Sequence, residues 1–208
     1  PEGKVGEGER AIYFSGEKGR VSFNEKIIKV YDSVKVDHAD SRSTADKLLV
    51  DQSTQKAHLI GNVHSIFTPP DSPRLEVNSK KAFLNAKNNM GEYQGDVVGK
   101  VQFENEKLHP RIKFKSNLLK MNLDERLIRL KEKVYLERHL IKINALEGKI
   151  WLKNYQSGVK YFVLFDDVRL TEKLDLGNGE EILRKAFSEK IEGFPLERKL
   201  VLSGYPRV

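Results

Sequence analysis

Leu59-Ile-Gly61-Asn-Val63-His-Ser65-Ile-Phe67 places apolar or small residues at every second position. This period is that of a β-strand with one buried face. The positions between them carry Ile60, Asn62, His64 and Ile66. The stretch therefore predicts a strand whose odd-numbered side chains point toward a core.

The same pattern, called here the repeat frame, recurs along the chain. At alternate positions it has an apolar residue, then glycine or an acidic residue, and in most copies then valine. Further copies begin at Val30, Tyr93, Leu130, Leu164 and Leu202, and the successive spacings are 29, 34, 37, 34 and 38 residues. Polar turns precede the copies. One unit alone cannot bury its apolar face, so neighbouring units must cover it. The frame predicts an all-β protein of repeated antiparallel strands, either a stacked solenoid or a β-jelly roll with an apolar interior.

Two segments also fit a helix. Leucines recur every three or four residues from Leu119 to Leu130, and Leu183, Phe187 and Ile191 share one helical face. Their place in the repeat frame favours strands. The pattern alone leaves helix or strand open for residues 116–131 and 183–191.

Composition predicts a thin core and an anionic partner. Apolar residues make up 38% of the 208-residue chain and charged residues 32%, with a net charge of +7. Nucleic acid, a membrane surface or a phosphorylated lipid would each suit this charge. No run of about 18 apolar residues occurs. We expect a polar segment over residues 1–19 and one domain over residues 20–208, truncated at its C-terminal edge.

Catalytic and metal-binding motifs are missing from the sequence. There is no cysteine, and no HExxH, P-loop, GxSxG or Rossmann pattern occurs. His58 and His64 lie on the strand face opposite Leu59, where solvent exposure is expected. Asp166 and Asp167 are adjacent and point to opposite faces, which favours a turn or register role. The prediction is a protein without enzymatic activity, cofactor or metal.

The repeat frame also predicts one apolar inner face. If its two walls do not meet fully, the gap is a long apolar channel, and Gly61, Ser65, Gly95 and Gly99 would leave space for it. The predicted lipid-binding residues of this face are Val34, Val36, Leu59, Val63, Phe67, Val97, Val101, Phe103, Phe114, Leu130, Val134, Leu136, Leu164, Val168 and Leu170.

Basic residues gather in residues 107–115 and 126–138. A solvated strand face is the ordinary interpretation, and phosphate contacts are the functional one. Nucleic-acid binding is not favoured, because Phe114 shares the inward parity of Ile112 instead of lying between the cations on an exposed face. The candidates for lipid-phosphate contacts are Lys113, Lys115, Arg126, Arg129 and Arg138.

Thr44-Ala-Asp-Lys-Leu-Leu-Val-Asp51, His58-Leu-Ile-Gly-Asn-Val63 and the closing residues 200–208 resemble the OstA/LptA superfamily of periplasmic lipopolysaccharide-transport proteins. The family signatures are an Ala-Asp-x-apolar strand and a Leu-x-Gly-Asn-Val strand, in repeated order. The resemblance covers about residues 20–208. Glu132-Lys133 and Asp166-Asp167 depart from Gly-Asn.

The resemblance implies an open, taco-like β-jelly roll that takes acyl chains of lipopolysaccharide into its interior. It also implies a periplasmic location, head-to-tail strand pairing with LptC, LptD-type or identical jelly rolls, and only indirect membrane contact. LptA, LptC and a fusion of both remain open. A polyanion- or nucleic-acid-binding β-solenoid and a structural assembly scaffold are the alternative functions.

Overall fold

The computed structural model describes residues 1–68, 73–103, 110–122, 124–152, 159–175 and 181–207. In this part of the chain, fourteen strands and one 3-10 helix, Gly8–Arg10, occur. The strands are β1 Glu2–Val5, β2 Ile12–Ser15, β3 Lys18–Ser22, β4 Ile27–His38, β5 Ser41–Asp51, β6 Lys56–Phe67, β7 Arg74–Asn85, β8 Met90–Gln102, β9 Ile112–Asn122, β10 Leu127–Arg138, β11 Ile141–Leu152, β12 Val159–Asp175, β13 Glu181–Phe194 and β14 Lys199–Ser203.

The strands form one antiparallel sheet that follows chain order, with β2 and β3 both paired to β4. The predicted all-β fold is confirmed. The helical alternative for 116–131 and 183–191 is wrong within the described residues, because β9, β10 and β13 occupy them; Leu123 lies outside those residues. Residues 1–19, expected to be a polar segment, contain β1 and β2, and Ile12 and Phe14 are buried.

A corner bends the sheet in the middle of each long even-numbered strand from β4 to β12. At the corner two consecutive residues have positive φ, and the pairing register shifts by a β-bulge. Glycine, asparagine and aspartate tolerate this left-handed conformation best, and they fill most of the positions. The pairs are Asp32–Ser33, Gly61–Asn62, Gly95–Asp96, Glu132–Lys133 and Asp166–Asp167.

The corners divide the sheet into two facing walls. Residues that precede the corner in the even-numbered strands, with their partners, form the first wall, and residues that follow it form the second wall. Each corner coincides with the glycine-or-acid position of the repeat frame. The fold is the open β-jelly roll that the frame and the resemblance predicted, and the register role expected of Asp166 and Asp167 is found in the β12 corner.

The odd-numbered strands cross the line of corners at a small residue whose side chain faces the interior. Ala45 of β5 is buried, and the next inward residue is Leu48, three positions later. The Ala-Asp-x-Leu motif at 45–48 is thus a corner crossing. In β7, β9 and β13 a serine takes this place, and its hydroxyl donates to the carbonyl two residues onward. These bonds are Ser79 to Lys81 at 2.9 Å, Ser116 to Leu118 at 3.1 Å and Ser188 to Lys190 at 3.1 Å.

The core lies between the walls. Phe67 of the second wall meets Tyr93 of the first edge to face, with ring centroids 6.2 Å apart. The expected gaps at small residues are absent at the four positions named. Gly61 and Gly95 form corners, and the Phe114 ring fills the space beside Gly99. Ser65 is buried and shares a 2.6 Å hydrogen bond with Ser43.

Candidate functional site

An apolar cavity of about 830 Å³ lies between the walls in the C-terminal half of the sheet. Strands β9 to β14 surround it, together with the ends of the turns 139–140 and 195–198. Its floor is formed by inward side chains of both walls. The apolar lining residues are Phe103, Pro110, Ile112, Leu136, Leu140, Ile141, Ile143, Ile150, Val159, Phe162, Leu174, Phe194, Pro195, Leu196 and Leu200.

The two halves of the interior differ in packing. In the N-terminal half, inward residues such as Val30, Leu48 and Leu59 are fully buried against the opposite wall. In the C-terminal half, Ile141, Phe162 and Leu200 pack on the core and remain only partly buried. These partly buried residues border the cavity, so the interior is open beyond β9.

The sequence predicted the inward orientation of the lipid-binding face better than the position of the cavity. All fifteen predicted residues are buried. Phe103 and Leu136 line the cavity, and the other thirteen do not. The apolar cavity lies in the C-terminal half of the face, and lipid binding along the rest of the face stays a prediction.

Several cavity residues were missed by sequence reasoning. Ile141 and Ile143 lie on β11, between two copies of the repeat frame, so the frame did not include them. Phe162 stands two positions before Leu164, so the same alternation could have included it. Leu200 precedes the last copy of the frame by two positions in the same way.

Charged side chains stand among the apolar ones where the cavity opens. Arg138 continues the inward row of Val134 and Leu136, and burial lowers the pKa of its guanidinium. Among the described residues it has no hydrogen bond or ion pair. Glu172 and Arg184, also facing the cavity, form an ion pair at 2.5 Å. Arg138 is therefore the half-buried cation that faces the cavity without a counterion in the described part of the chain.

The other predicted phosphate contacts lie elsewhere. Lys113, Lys115 and Arg129 have outward parity and are exposed. Lys113 is 3.0 Å from Glu137 and borders a separate polar cavity of about 470 Å³. Lys115 lies over the Tyr135 ring at 5.9 Å. Arg126 is in the turn before β10. Of the five candidates, Arg138 alone lines the apolar cavity.

Three of the described histidines lie apart from one another in the fold. His58 stacks on Phe83 at 4.1 Å, and His64 shares a 2.8 Å hydrogen bond with Asn78, both on the outer face. His38 is buried, and burial lowers its pKa. Within the described ranges, no group of three or more His, Asp or Glu side chains could hold a metal ion. His109 lies outside those ranges.

These features define an open β-jelly roll whose interior suits an apolar ligand with an anionic group. The family model described as lipopolysaccharide-assembly, LptC-related, matches residues 44–156, more than half of the chain. The chain belongs to this LptC-related family. The match includes two of the stretches that carried the resemblance, 44–51 and 58–63, and ends before the closing residues 200–208.

A solved structure also resembles this chain. It is LptH, the LptA-homologous periplasmic component of the lipopolysaccharide transport device from Pseudomonas aeruginosa. The identity is 11% and the TM-score 0.47, over 55% of this chain and 77% of that one. No curated protein matches the sequence. No helix in the described residues is long and apolar enough to cross a membrane.

Proposed function

We propose that this chain is a periplasmic lipopolysaccharide-transport protein that holds lipid acyl chains in the cavity between β9 and β14. Membership of the LptC-related lipopolysaccharide-assembly family supports the substrate. The single observation that carries the proposal is the apolar cavity of about 830 Å³ faced by Arg138, which has no counterion among the described residues.

The energetics of the cavity suit a lipid. Each Å² of acyl surface removed from water contributes about 25 cal/mol, and the lining is mostly aliphatic and aromatic. The guanidinium of Arg138 can form paired hydrogen bonds to a phosphate of lipid A. A phosphate there would supply the counterion that a half-buried cation favours. Acyl chains would then lie deeper, against Ile143, Ile150 and Phe162.

The ends of the sheet support head-to-tail assembly as the route between carriers. At the C-terminal end β14 pairs with residues 190–194 of β13, and Arg207 pairs with Phe187. The backbone of residues 181–186 therefore has an open edge within the described part of the chain. β1 and β3 present the edges at the N-terminal end. Strand addition at these edges would join this jelly roll to an LptC-, LptD-type or identical neighbour.

Photo-crosslinking tests the lipid site. A benzophenone side chain placed at Ile143 or Phe162 should crosslink to lipopolysaccharide. The same group at Leu59, in the packed half, or at the outward Lys133 should not. Equal crosslinking at all four positions, or none at Ile143 and Phe162, would overturn the proposal. Salt-sensitive binding of an oligonucleotide without lipid adducts would instead favour the polyanion-binding alternative.

A further inference from the structure

The mouth of the cavity, defined as the opening between turns 139–140 and 195–198, carries exposed leucines. Leu140 is 39% exposed and Leu196 is 54% exposed, and both line the cavity. They stand on opposite walls, because one turn joins β10 to β11 in the second wall and the other joins β13 to β14 in the first. Apolar side chains on turn tips at a cavity opening are costly in water unless another apolar phase covers them.

An aromatic row on the outer face of the first wall ends at this mouth. Trp151, Tyr161 and Phe194 lie on adjacent strands, and each neighbouring pair of ring centroids is 5.1 Å apart. Phe194 immediately precedes turn 195–198, and Lys199 lies over its ring at 5.9 Å. Trp and Tyr are the residues enriched at membrane–water interfaces, where rings sit at headgroup level beside cations.

The described residues around the mouth carry a net positive charge. Five cationic side chains line the cavity; Arg184 pairs with Glu172 and Lys173 with Glu181, and Glu197 lies in turn 195–198. Arg198 and Lys199 are exposed at the tip beside Leu196. Lys and Arg close to an anionic lipid surface strengthen attachment to it. The charge thus favours anionic lipid headgroups over a neutral or cationic partner.

In the N-terminal half, the described turns at the same end of the first wall do not combine exposed leucines, aromatic rings and cations. Turns 52–55 and 86–89 are polar, with Ser53, Thr54 and Asn88 at their tips. Phe23, Val21 and Tyr13 are exposed large apolar residues near the N-terminal edge, outside these two turns. The C-terminal half therefore brings together the exposed leucines, the aromatic row, the cations and the cavity opening.

We propose that the mouth docks directly on the surface of an anionic bilayer, with Leu140 and Leu196 entering the acyl boundary and the aromatic row at headgroup level. A lipid could then pass between the leaflet and the cavity without crossing water. Direct docking differs from the indirect membrane contact that the family resemblance implies, and the experiment below distinguishes the two. The docking surface is independent of the proposed function, which determines only what enters the cavity.

Binding to lipopolysaccharide-free vesicles tests the docking. Trp151 is the one tryptophan of the chain and belongs to the aromatic row. Its fluorescence emission therefore reports directly on contact between the row and the vesicle. With vesicles of phosphatidylglycerol and phosphatidylcholine, the emission should shift to the blue and the protein should sediment with the vesicles. Binding should weaken with added salt and with phosphatidylcholine alone.

The double variant Leu140→Glu/Leu196→Glu should bind these vesicles roughly tenfold more weakly or worse, since each leucine loses its burial in lipid. Both side chains are exposed, so the fold should persist, which circular dichroism checks. Leu146→Glu is the matched control, because Leu146 is 52% exposed in the same half at the corner crossing. Absence of vesicle binding, or equal weakening by the control, would overturn the docking. Loss of lipopolysaccharide crosslinks with vesicle binding intact would overturn only the proposed function.

Discussion

The ring of Phe114 on β9 lies against the backbone of Gly99, its register partner on β8. A Cβ atom at Gly99 would overlap that ring. Phe162 covers Gly193 and Phe14 covers Gly3 in the same manner, each across one strand pair. At these three positions the absence of a side chain on glycine makes room for the ring of the paired residue. The relationship makes Gly99 a packing residue.

Gly99→Ala should lower the free energy of unfolding by about 1–3 kcal/mol, the usual cost of forcing an added methyl into a packed core. Urea denaturation measures the change. Adding Phe114→Leu should relieve the overlap, so the double variant should lose less than the two single variants combined. Strict additivity would show that ring and glycine are not coupled.

The repeat frame predicted strands and inward residues because alternation depends only on local backbone geometry. It also marked the corners, since Gly61–Asn62 and Gly95–Asp96 are residues that accept positive φ. Glu132 and Lys133 have the same positive-φ conformation, although neither is a glycine, asparagine or aspartate that would predict it. There the surrounding pairing imposes the corner.

The cavity could not be predicted in the same way. Val63 and Ile143 have the same inward parity and similar size, and both are buried, but of the two Ile143 lines the cavity. The difference depends on which side chains stand opposite each residue, and thus on how the whole sheet bends. The alternation of apolar residues along a strand predicts which face of the sheet a side chain lies on. It does not predict which side chains lie opposite it across the interior.

Ser116→Ala should lower the free energy of unfolding by about 1 kcal/mol. The hydroxyl donates to the Leu118 carbonyl at 3.1 Å, and its loss leaves a carbonyl at the corner without that partner. Ala45 occupies the equivalent position in β5, so Ala45→Ser should be tolerated with little change. Thermal denaturation of both variants checks this, and an equal loss in both would argue against a specific role for the hydroxyl.

Lys133→Gly should raise the free energy of unfolding by up to about 1 kcal/mol. Lys133 has φ of 53°, a left-handed conformation that costs a residue with a Cβ about 1–2 kcal/mol, and glycine relieves this. Arg129→Gly is the control in the same strand, because an extended strand position should lose about 0.5–1 kcal/mol on the same change. Chemical denaturation that shows equal losses for both would contradict the left-handed strain.

His38→Phe should flatten the pH dependence of stability below about pH 6.5. Burial lowers the pKa of His38 in the folded state, whereas the unfolded chain has the ordinary value near 6.5. The unfolded state therefore takes up the proton first as pH falls, and the folded state loses stability from about pH 6.5 downward. Above that pH the variant should equal or exceed the native chain, because Nε2 of His38 has no hydrogen-bond partner among the described residues.

Melting temperatures between pH 5 and pH 8, an interval centred near the ordinary histidine pKa of about 6.5, test this expectation. Burial and the charge of Lys81 also lower the pKa of His58, so part of the acid dependence should persist in His38→Phe and fall further in the double variant with His58→Phe. An acid slope unchanged in His38→Phe would contradict the buried neutral histidine.

Arg138→Met should weaken lipid binding without lowering the stability of the fold. The guanidinium is half-buried and unpaired among the described residues, and its pKa is lowered by burial. A methionine of similar length avoids the desolvation of a charge, so the melting temperature should stay equal or rise. Affinity for lipopolysaccharide should fall about tenfold or more, because a charge-assisted phosphate bond of about 1.5–3 kcal/mol is lost. Arg129→Met, on the outer face, should leave that affinity unchanged. Equal affinities for the native chain and Arg138→Met in a lipopolysaccharide titration would remove Arg138 from the site.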